Sequence, residues 1–528
     1  MNKKIKNIFL TLMLILSVGK LFSQQQNLPL NREFNLVNQK VFNAFGNNVH
    51  TSFQPINQSF VRLDSIFGIS KSEKNIYLAN ISKTEKKPRN FFKWMYRSAF
   101  YENFMVVDTG NFYLTIDPLL NIEVGKDDYS GNFNPKLDNA NTTITDYTLS
   151  KNTRGVIVRG NVGEKFSFET SFYENQMTLP SYLSDYADAK GVVQGQGRWK
   201  KFKTNGYDFA SSSANISYSP AKFINFQLGS GKNFVGDGYR SLLLSDFSFN
   251  YPYLKITTTF GKKNKFQYTK LNASLSSITR REEGSTAEQL FVRKSMSVHY
   301  LSWLAAKWLN IGLFESTLWK TEDSTGTLPY QFQQLNPIIG VNTITTITDD
   351  ANHSNIGLNM KIKLPFKLVL YNQLVYDGNQ YEKTSGYQVG MKYFEIKNLT
   401  LQAEYNRMIN QYNTTFEPQL EQFTNYNESL THPFGDNFTE IVGIINYKYK
   451  RLFFEFKGIL AERMNLTTPI KTTVFQSHIG YLINPKNNMS LTLGIKERFD
   501  KQNGNIYNGV DYFYVGFSTN LRNLYDDF

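Results

Sequence analysis

The sequence predicts an all-β protein: a closed antiparallel transmembrane β-barrel of about 18 strands, preceded by an N-terminal periplasmic or plug segment containing short helices. Three observations carry this. The chain opens with an export signal, its later segments alternate strictly between apolar and polar residues, and those segments are joined by links that are short and long in turn.

Residues 1–23 have the features of a signal peptide. Lys3, Lys4 and Lys6 form a basic head, "IFLTLMLILSV" (Ile8 to Val18) an apolar centre, and Ser23 a small residue for cleavage. The apolar run is too short for a spanning helix, which needs about 20 residues. The 528 residues include no cysteine, which excludes disulfides, thiolate chemistry and a lipid-modified cysteine, so any membrane attachment has to come from the fold. The formal charge is +14. Removing Lys3, Lys4, Lys6 and Lys20 with the signal leaves 54 basic against 44 acidic residues, or +10. A basic exported chain suits anionic glycans or lipopolysaccharide phosphates, and equally reflects a lysine-rich proteome; nothing points to nucleic acid.

Residues 24–108 differ in character from the rest of the mature chain. "QSFVRLDSIFGI" (58–69) and "RNFFKWMYRSAFYENFM" (89–105) have helical spacing, with Phe91, Trp94, Met95 and Phe100 able to share a face. Such a segment is expected on the periplasmic side or in the lumen as a plug.

From 109 to 528 the pattern is that of a wall with one greasy and one wet face. Aromatic residues make up 15% of the chain (43 Phe and 32 Tyr but 5 Trp), while the mean hydropathy is only −0.41. "SNIGLNMKIKL" places Ile356, Leu358, Met360, Ile362 and Leu364 on one side, opposite Asn355, Gly357, Asn359, Lys361 and Lys363. "NLTLQAEYNR" and "NMSLTLGIKE" repeat it. Segments of this kind are expected near 111–125, 153–162, 165–174, 208–218, 222–230, 252–261, 265–276, 293–304 and 307–318. The second half adds 354–364, 366–377, 385–394, 399–410, 437–449, 451–463, 472–483, 488–499 and 509–521. Very short links ("GEK", "LPF") alternate with long polar ones (175–207, 321–353, 411–436), as in barrels whose strands cross a bilayer in about 9 to 11 residues. Closure removes sheet edges, whose unpaired backbone groups are costly in lipid. In the last segment Phe513, Val515, Phe517, Thr519 and Leu521 alternate before Phe528, an aromatic ending common in bacterial outer-membrane barrels.

Enzyme signatures fail. "LGSGKN" has Phe226 where a phosphate loop needs its first glycine, and Asn233 follows Lys232. "GQGR" (195–198) suits a turn better than dinucleotide binding. The five histidines show no metal-ligand spacing, and no G-x-S-x-G elbow occurs. His299, between Ser297 and Ser302, is read as a lumenal polar histidine rather than part of a hydrolase. No catalysis, cofactor or metal is expected.

"GKNFVGDGYRSLLLSDFSFNYPYLKI" (Gly231 to Ile256) is the main candidate site. Its glycines allow close backbone approach, and Lys232, Asp237, Tyr239 and Arg240 supply donors, an acceptor and a ring face suited to a sugar polymer. A turn stapled by an Asp237–Arg240 ion pair fits the same residues. This stretch resembles a signature of the Wzi-like capsule-assembly outer-membrane proteins, a Gly-rich segment leading to a Leu-Ser pair and a proline before a strand. "QLNPIIGVN" and "HSNIGLNMKIKLPFKLVLYNQLVYDG", within 334–378, are similar to that family too, with Tyr371-x-Gln ahead of Asp377. Departures are Asp377-Gly378 where two acids are usual, and missing tryptophans beside the glycines. "NTRGVIVRGNVGEKFSFETSFYENQMTLPSYL" (152–183) and "NNVHTSFQPI" (47–56) resemble a narrower group, the RemB-type gliding-motility outer-membrane proteins of flavobacteria.

The resemblances imply an outer-membrane, cell-surface role in a Bacteroidetes-like Gram-negative cell: binding, anchoring or helping to assemble a surface polysaccharide or adhesin in gliding and capsule-like processes, without catalysis. Lys232, Asp237, Tyr239, Arg240, Tyr371 and Asp377 are the implied substrate-binding positions. The implied partners are outer-membrane lipid and lipopolysaccharide, a surface polysaccharide, and gliding or secretion machinery. A porin or solute channel is the alternative, since a barrel this wide can hold water.

Overall fold

The computed structural model describes residues 26–61, 90–127, 147–203, 205–280, 291–323, 326–328, 331–346, 352–378, 383–410, 423–464, 468–519 and 521–528. The expected signal peptide lies outside them. Eighteen long strands close into an antiparallel barrel. They are β1 (Phe112–Asp127), β2 (Tyr147–Val162), β3 (Phe166–Thr178), β4 (Gly206–Ala221), β5 (Ile224–Gly231) and β6 (Tyr251–Phe260). Next come β7 (Phe266–Arg280), β8 (Phe291–Ala306), β9 (Leu309–Lys320), β10 (Asn352–Leu364), β11 (Leu368–Gly378) and β12 (Lys383–Tyr393). The last six are β13 (Leu399–Asn410), β14 (Phe438–Tyr449), β15 (Leu452–Met464), β16 (Pro469–Asn484), β17 (Met489–Gln502) and β18 (Asn505–Thr519). Each pairs with the next, and β18 closes on β1 from Tyr512↔Asp127 to Ser518↔Asn121. All eighteen expected segments are strands, because a period of two written into side-chain chemistry leaves no other backbone that separates the two sets.

The polarity of the wall is inverted relative to a soluble protein. Leu374, Val389, Ile441, Leu491, Leu493 and Phe513 are exposed on the outside, while Gln373, Gln388, Glu404, Asn406 and Glu440 are buried inside. An exposed apolar belt this extensive requires lipid, and the fold spans a membrane. The links at one end are all short, such as 222–223, 307–308, 365–367 and 450–451, and every long connection lies at the other, so the first end is periplasmic and the second extracellular.

Four parts of the chain occupy the lumen. The stretch 26–61, including α1 (Arg32–Phe42), fills the periplasmic half. His50 sits between Ser302 Oγ (2.8 Å) and the Asn264 carbonyl (2.9 Å) of a periplasmic turn, and Lys363 donates to the Phe42 carbonyl at 2.8 Å. Loop 232–250 folds inward rather than over the rim, and Phe53–Gln54 of the N-terminal stretch pairs with its Phe234–Val235. The third part is 181–198 with 423–435, and the fourth is the tail 521–528.

Three expectations differ. α1 was not expected, and of the 58–69 stretch expected to be helical, 58–61 is a turn and the rest lies outside the described residues; α2 (Phe91–Phe100) forms where expected, and α3 (Ser181–Lys190) lies in a long extracellular connection. The last strand stops at Thr519. Leu521 and Phe528 are buried inside, Phe528 packing edge-on against Tyr186 (5.2 Å) and Phe247 (5.1 Å), because the acidic residues beside it find cations in the lumen. His299 is not lumenal. Val298 and Tyr300 share the inward set of β8, so the alternation turns His299 outward, where a folded-back loop covers it.

Candidate functional site

The Gly-rich loop meets the wall where β11 to β15 carry inward polar residues. Gly238 has no side chain because the backbone must approach β12 and β13: a Cβ there would run into Glu404 Oε2 and Gln388 Oε1. The freed space lets Glu404 receive two backbone donors, Tyr239 N–H at 2.6 Å and Arg240 N–H at 3.0 Å, with the Tyr371 hydroxyl donating at 2.9 Å. Asn406 then bridges Glu404 and Glu440, donating to each at 2.9 Å.

Arg240 is 1% exposed and lies between two carboxylates, Glu440 at 3.1 Å and Asp527 of the tail at 3.1 Å. Lys457 of β15 pairs with the same Asp527 at 2.6 Å and donates to the Tyr239 hydroxyl at 3.0 Å; that hydroxyl in turn donates to Asp527. Burial opposes the ionisation of Asp527, but Arg240 and Lys457 hold its carboxyl far below the usual range. Arg32 of α1 lies over the Tyr239 ring (4.0 Å) and bonds the Tyr525 hydroxyl. One network therefore ties loop, tail, N-terminal stretch and wall.

Asp237 and Arg240 do not pair with each other, as a stapled turn requires. Asp237 pairs with Lys361 of β10 at 2.7 Å and accepts from Ser52 (2.7 Å) and Asn359 (3.2 Å). The wall supplies a better counter-ion to each residue than the loop does internally. Burial raises the Asp237 pKa, and Lys361 more than offsets this, leaving it lowered.

Lys232 belongs to a second cluster. Its Nζ donates to the Asp246 carbonyl at 3.0 Å, and Glu428 accepts from the Gly195 (2.7 Å) and Phe249 (3.0 Å) amides. Burial pushes Lys232 down to about 8 and Glu428 up to about 8.

The structure therefore gathers Tyr239, Arg240 and Tyr371 around Glu404, sets Asp237 beside them on Lys361, and leaves Lys232 with Glu428. Asp377 stands apart near the extracellular end of β11, opposite Asn355 and Thr384. Tyr239, Arg240 and Tyr371 are enclosed by protein and Lys232 is partly so, and these contacts hold the interior together.

The sequence reading missed a basic-aromatic run at the extracellular end. In "RWKKFK", Arg198, Lys200, Lys201 and Lys203 are exposed, with Trp199 and Phe202 partly so; Arg198 lies over the Phe291 ring at 4.7 Å, and Trp199 stacks edge-on against Tyr207 at 4.7 Å. The interleaving of cations and rings was the available signal, overlooked because "GQGR" was read only for its glycines.

The architecture is shared with solved outer-membrane barrels. Wzi of Escherichia coli, an outer-membrane protein involved in group 1 capsule assembly and described as a carbohydrate-binding β-barrel, superposes with a TM-score of 0.54 over 93% of this chain and 98% of its own, at 9% identity. The likeness is one of fold. OpdO of Pseudomonas aeruginosa (TM-score 0.43, 10% identity, 77% of this chain and 96% of its own) and a BenF-like porin of Pseudomonas fluorescens Pf-5 (0.44, 11%, 77% and 97%) are more distant. No family model matches the sequence, and no curated protein matches it. The outer-membrane β-barrel fold is thereby shared with Wzi, whereas no match supports the gliding-motility group.

Proposed function

We propose that this protein is a plugged outer-membrane barrel that holds an acidic surface polysaccharide at its extracellular mouth, without catalysis, in gliding and capsule-like processes. The observation that carries the reading is the filled lumen: a network of buried ion pairs crosses the interior, which suits anchoring better than diffusion. Arg198, Lys200, Lys201 and Lys203 supply the charge, and Trp199 and Phe202 the ring faces, that an anionic sugar chain requires. The capsule-assembly role and carbohydrate binding of Wzi agree with this at the level of fold. Lipopolysaccharide around the wall and gliding or secretion machinery in the periplasm are the proposed partners.

The test is Arg198, Lys200 and Lys201 changed together to Ala. Polysaccharide retention by cells is expected to fall about tenfold and cell spreading by gliding to weaken, with the barrel still heat-modifiable on gels. Unchanged retention removes this patch from the site. Arg240→Ala, which acts on the plug, is expected to lower barrel stability first.

A further inference from the structure

Part of the connection between β9 and β10 does not stand above the membrane. Its residues 331–346, including a 3-10 turn (Phe332–Leu335) and the short helix α4 (Val341–Thr346), fold back down the outside of the barrel. The Tyr268 hydroxyl donates to the Pro337 carbonyl, the Gly340 and Thr343 amides donate to Glu315 (2.7 Å each), and Asn342 Nδ2 lies 3.3 Å from His299.

What this flap covers explains why it is there. One cross-strand row of the outer face runs Ile256, Lys270, His299, Glu315, Ile356, Tyr376; the next towards the extracellular side runs Leu228, Leu254, Asn272, Ser297, Thr317, Ser354. The first row is apolar at both flanks and the second at its β5–β6 flank, with Leu228, Leu254, Ile356 and Tyr376 exposed, whereas the strands between carry a lysine, a histidine, a glutamate and hydroxyls, the last of them Ser354 under the flap. The stacked aromatics Phe260, Phe266 and Trp303 mark the periplasmic edge of the belt. Lys270 is four residues above Phe266, roughly 10 Å up a strand tilted by about 40°, well inside an apolar band about 25 Å tall. Bare charges at that depth on the lipid face are costly. Here they are covered: Lys270 is 7% exposed and His299 and Glu315 at most 1%, with Lys270 bonded to Ser297 and His299.

The outer surface of the flap carries the reverse chemistry. Phe332, Leu335, Ile338 and Ile344 are 82%, 54%, 61% and 71% exposed, all on the side away from the wall. We infer that residues 331–346 are a membrane-embedded flap that restores the lipid-facing surface over a polar sector of β7 to β9, its occupant being the acyl chains of the outer leaflet. Continuity of the flap's apolar face with the belt on both flanks argues for lipid rather than a second protein.

Because the chain lacks cysteine, single labels are simple to place. Bimane attached at F332C or I344C, in proteoliposomes containing acyl-brominated phosphatidylcholine, is expected to be quenched as strongly as at L254C on the bare belt and to resist aqueous iodide, whereas K200C shows the opposite. Glu315→Ala is expected to raise iodide access at I344C several-fold while leaving L254C unchanged. Iodide quenching at F332C and I344C equal to that at K200C in the otherwise unaltered protein overturns the inference, as does disulfide formation between I344C copies in place of lipid quenching. Both readouts are independent of polysaccharide binding, so they can fail or succeed apart from the proposed function.

Discussion

Removing the Arg240 side chain takes a counter-ion from Glu440 and Asp527, both fully buried, and leaves His432 beside the first and Lys457 beside the second. The loss of one partner from such a buried pair costs about 3–5 kcal/mol, so Arg240→Ala is expected to lower the thermal transition of the detergent-solubilised barrel strongly, and Arg240→Lys, which keeps the charge but not the forked donors, by less. A transition unchanged in Arg240→Ala would show that water enters and screens the pair. Lys232 and Glu428 respond to pH instead. Glu428 is raised from 4.5 to about 8, so its contribution is full below 4.5 and lost as pH rises through 8; Lys232 is lowered from 10.5 to about 8, so its contribution is full above 10.5 and lost as pH falls through 8. The two windows meet near pH 8, where this corner of the plug is weakest. Hydrogen exchange at the Gly195 and Phe249 amides, corrected for intrinsic rate, is expected to show least protection there. Glu428→Gln should abolish the acidic limb of that profile and keep the alkaline one; a flat profile in the unaltered protein contradicts the assignment.

At the scale of elements, the strands were legible and their tenants were not. Alternation is a local property, readable within ten residues such as 355–364, and it located every strand, with ends such as the start of β2 at Tyr147 rather than 153 off by up to six positions. The partners of the Gly-rich loop are remote: Glu404, Glu440 and Asp527 are separated from Arg240 by 164, 200 and 287 residues. No window on the sequence reveals which carboxylate an arginine will meet across a lumen, and the nearest acid, Asp237, was the natural but incorrect partner. His299 was misplaced for a related reason. A polar residue in a barrel strand is ordinarily inward, and only the loop from 331 to 346, distant in sequence, lets it turn outward. The tail 521–528 is an element whose removal can be read electrically. Deleting it takes Asp526 and Asp527 from the lumen, and planar-bilayer conductance is expected to rise from near zero to a measurable steady level. A large current from the intact protein would instead favour the porin reading.

For the molecule as a whole, the membrane-facing shell and the lumenal filling have different origins. The shell follows from pairing between neighbours in sequence, strand to next strand. The filling joins the two extremes of the described chain: the Asn523 amide donates to the Leu30 carbonyl at 2.8 Å, and the Arg32 amide to Asn523 Oδ1 at 3.0 Å. Residues near 30 therefore cannot reach their final positions until those near 523 have been delivered. The plug is therefore complete only when both extremes of the described chain are in place, and the ion pairs that Asp527 brings to Arg240 and Lys457 are open to screening by salt for as long as water still reaches them.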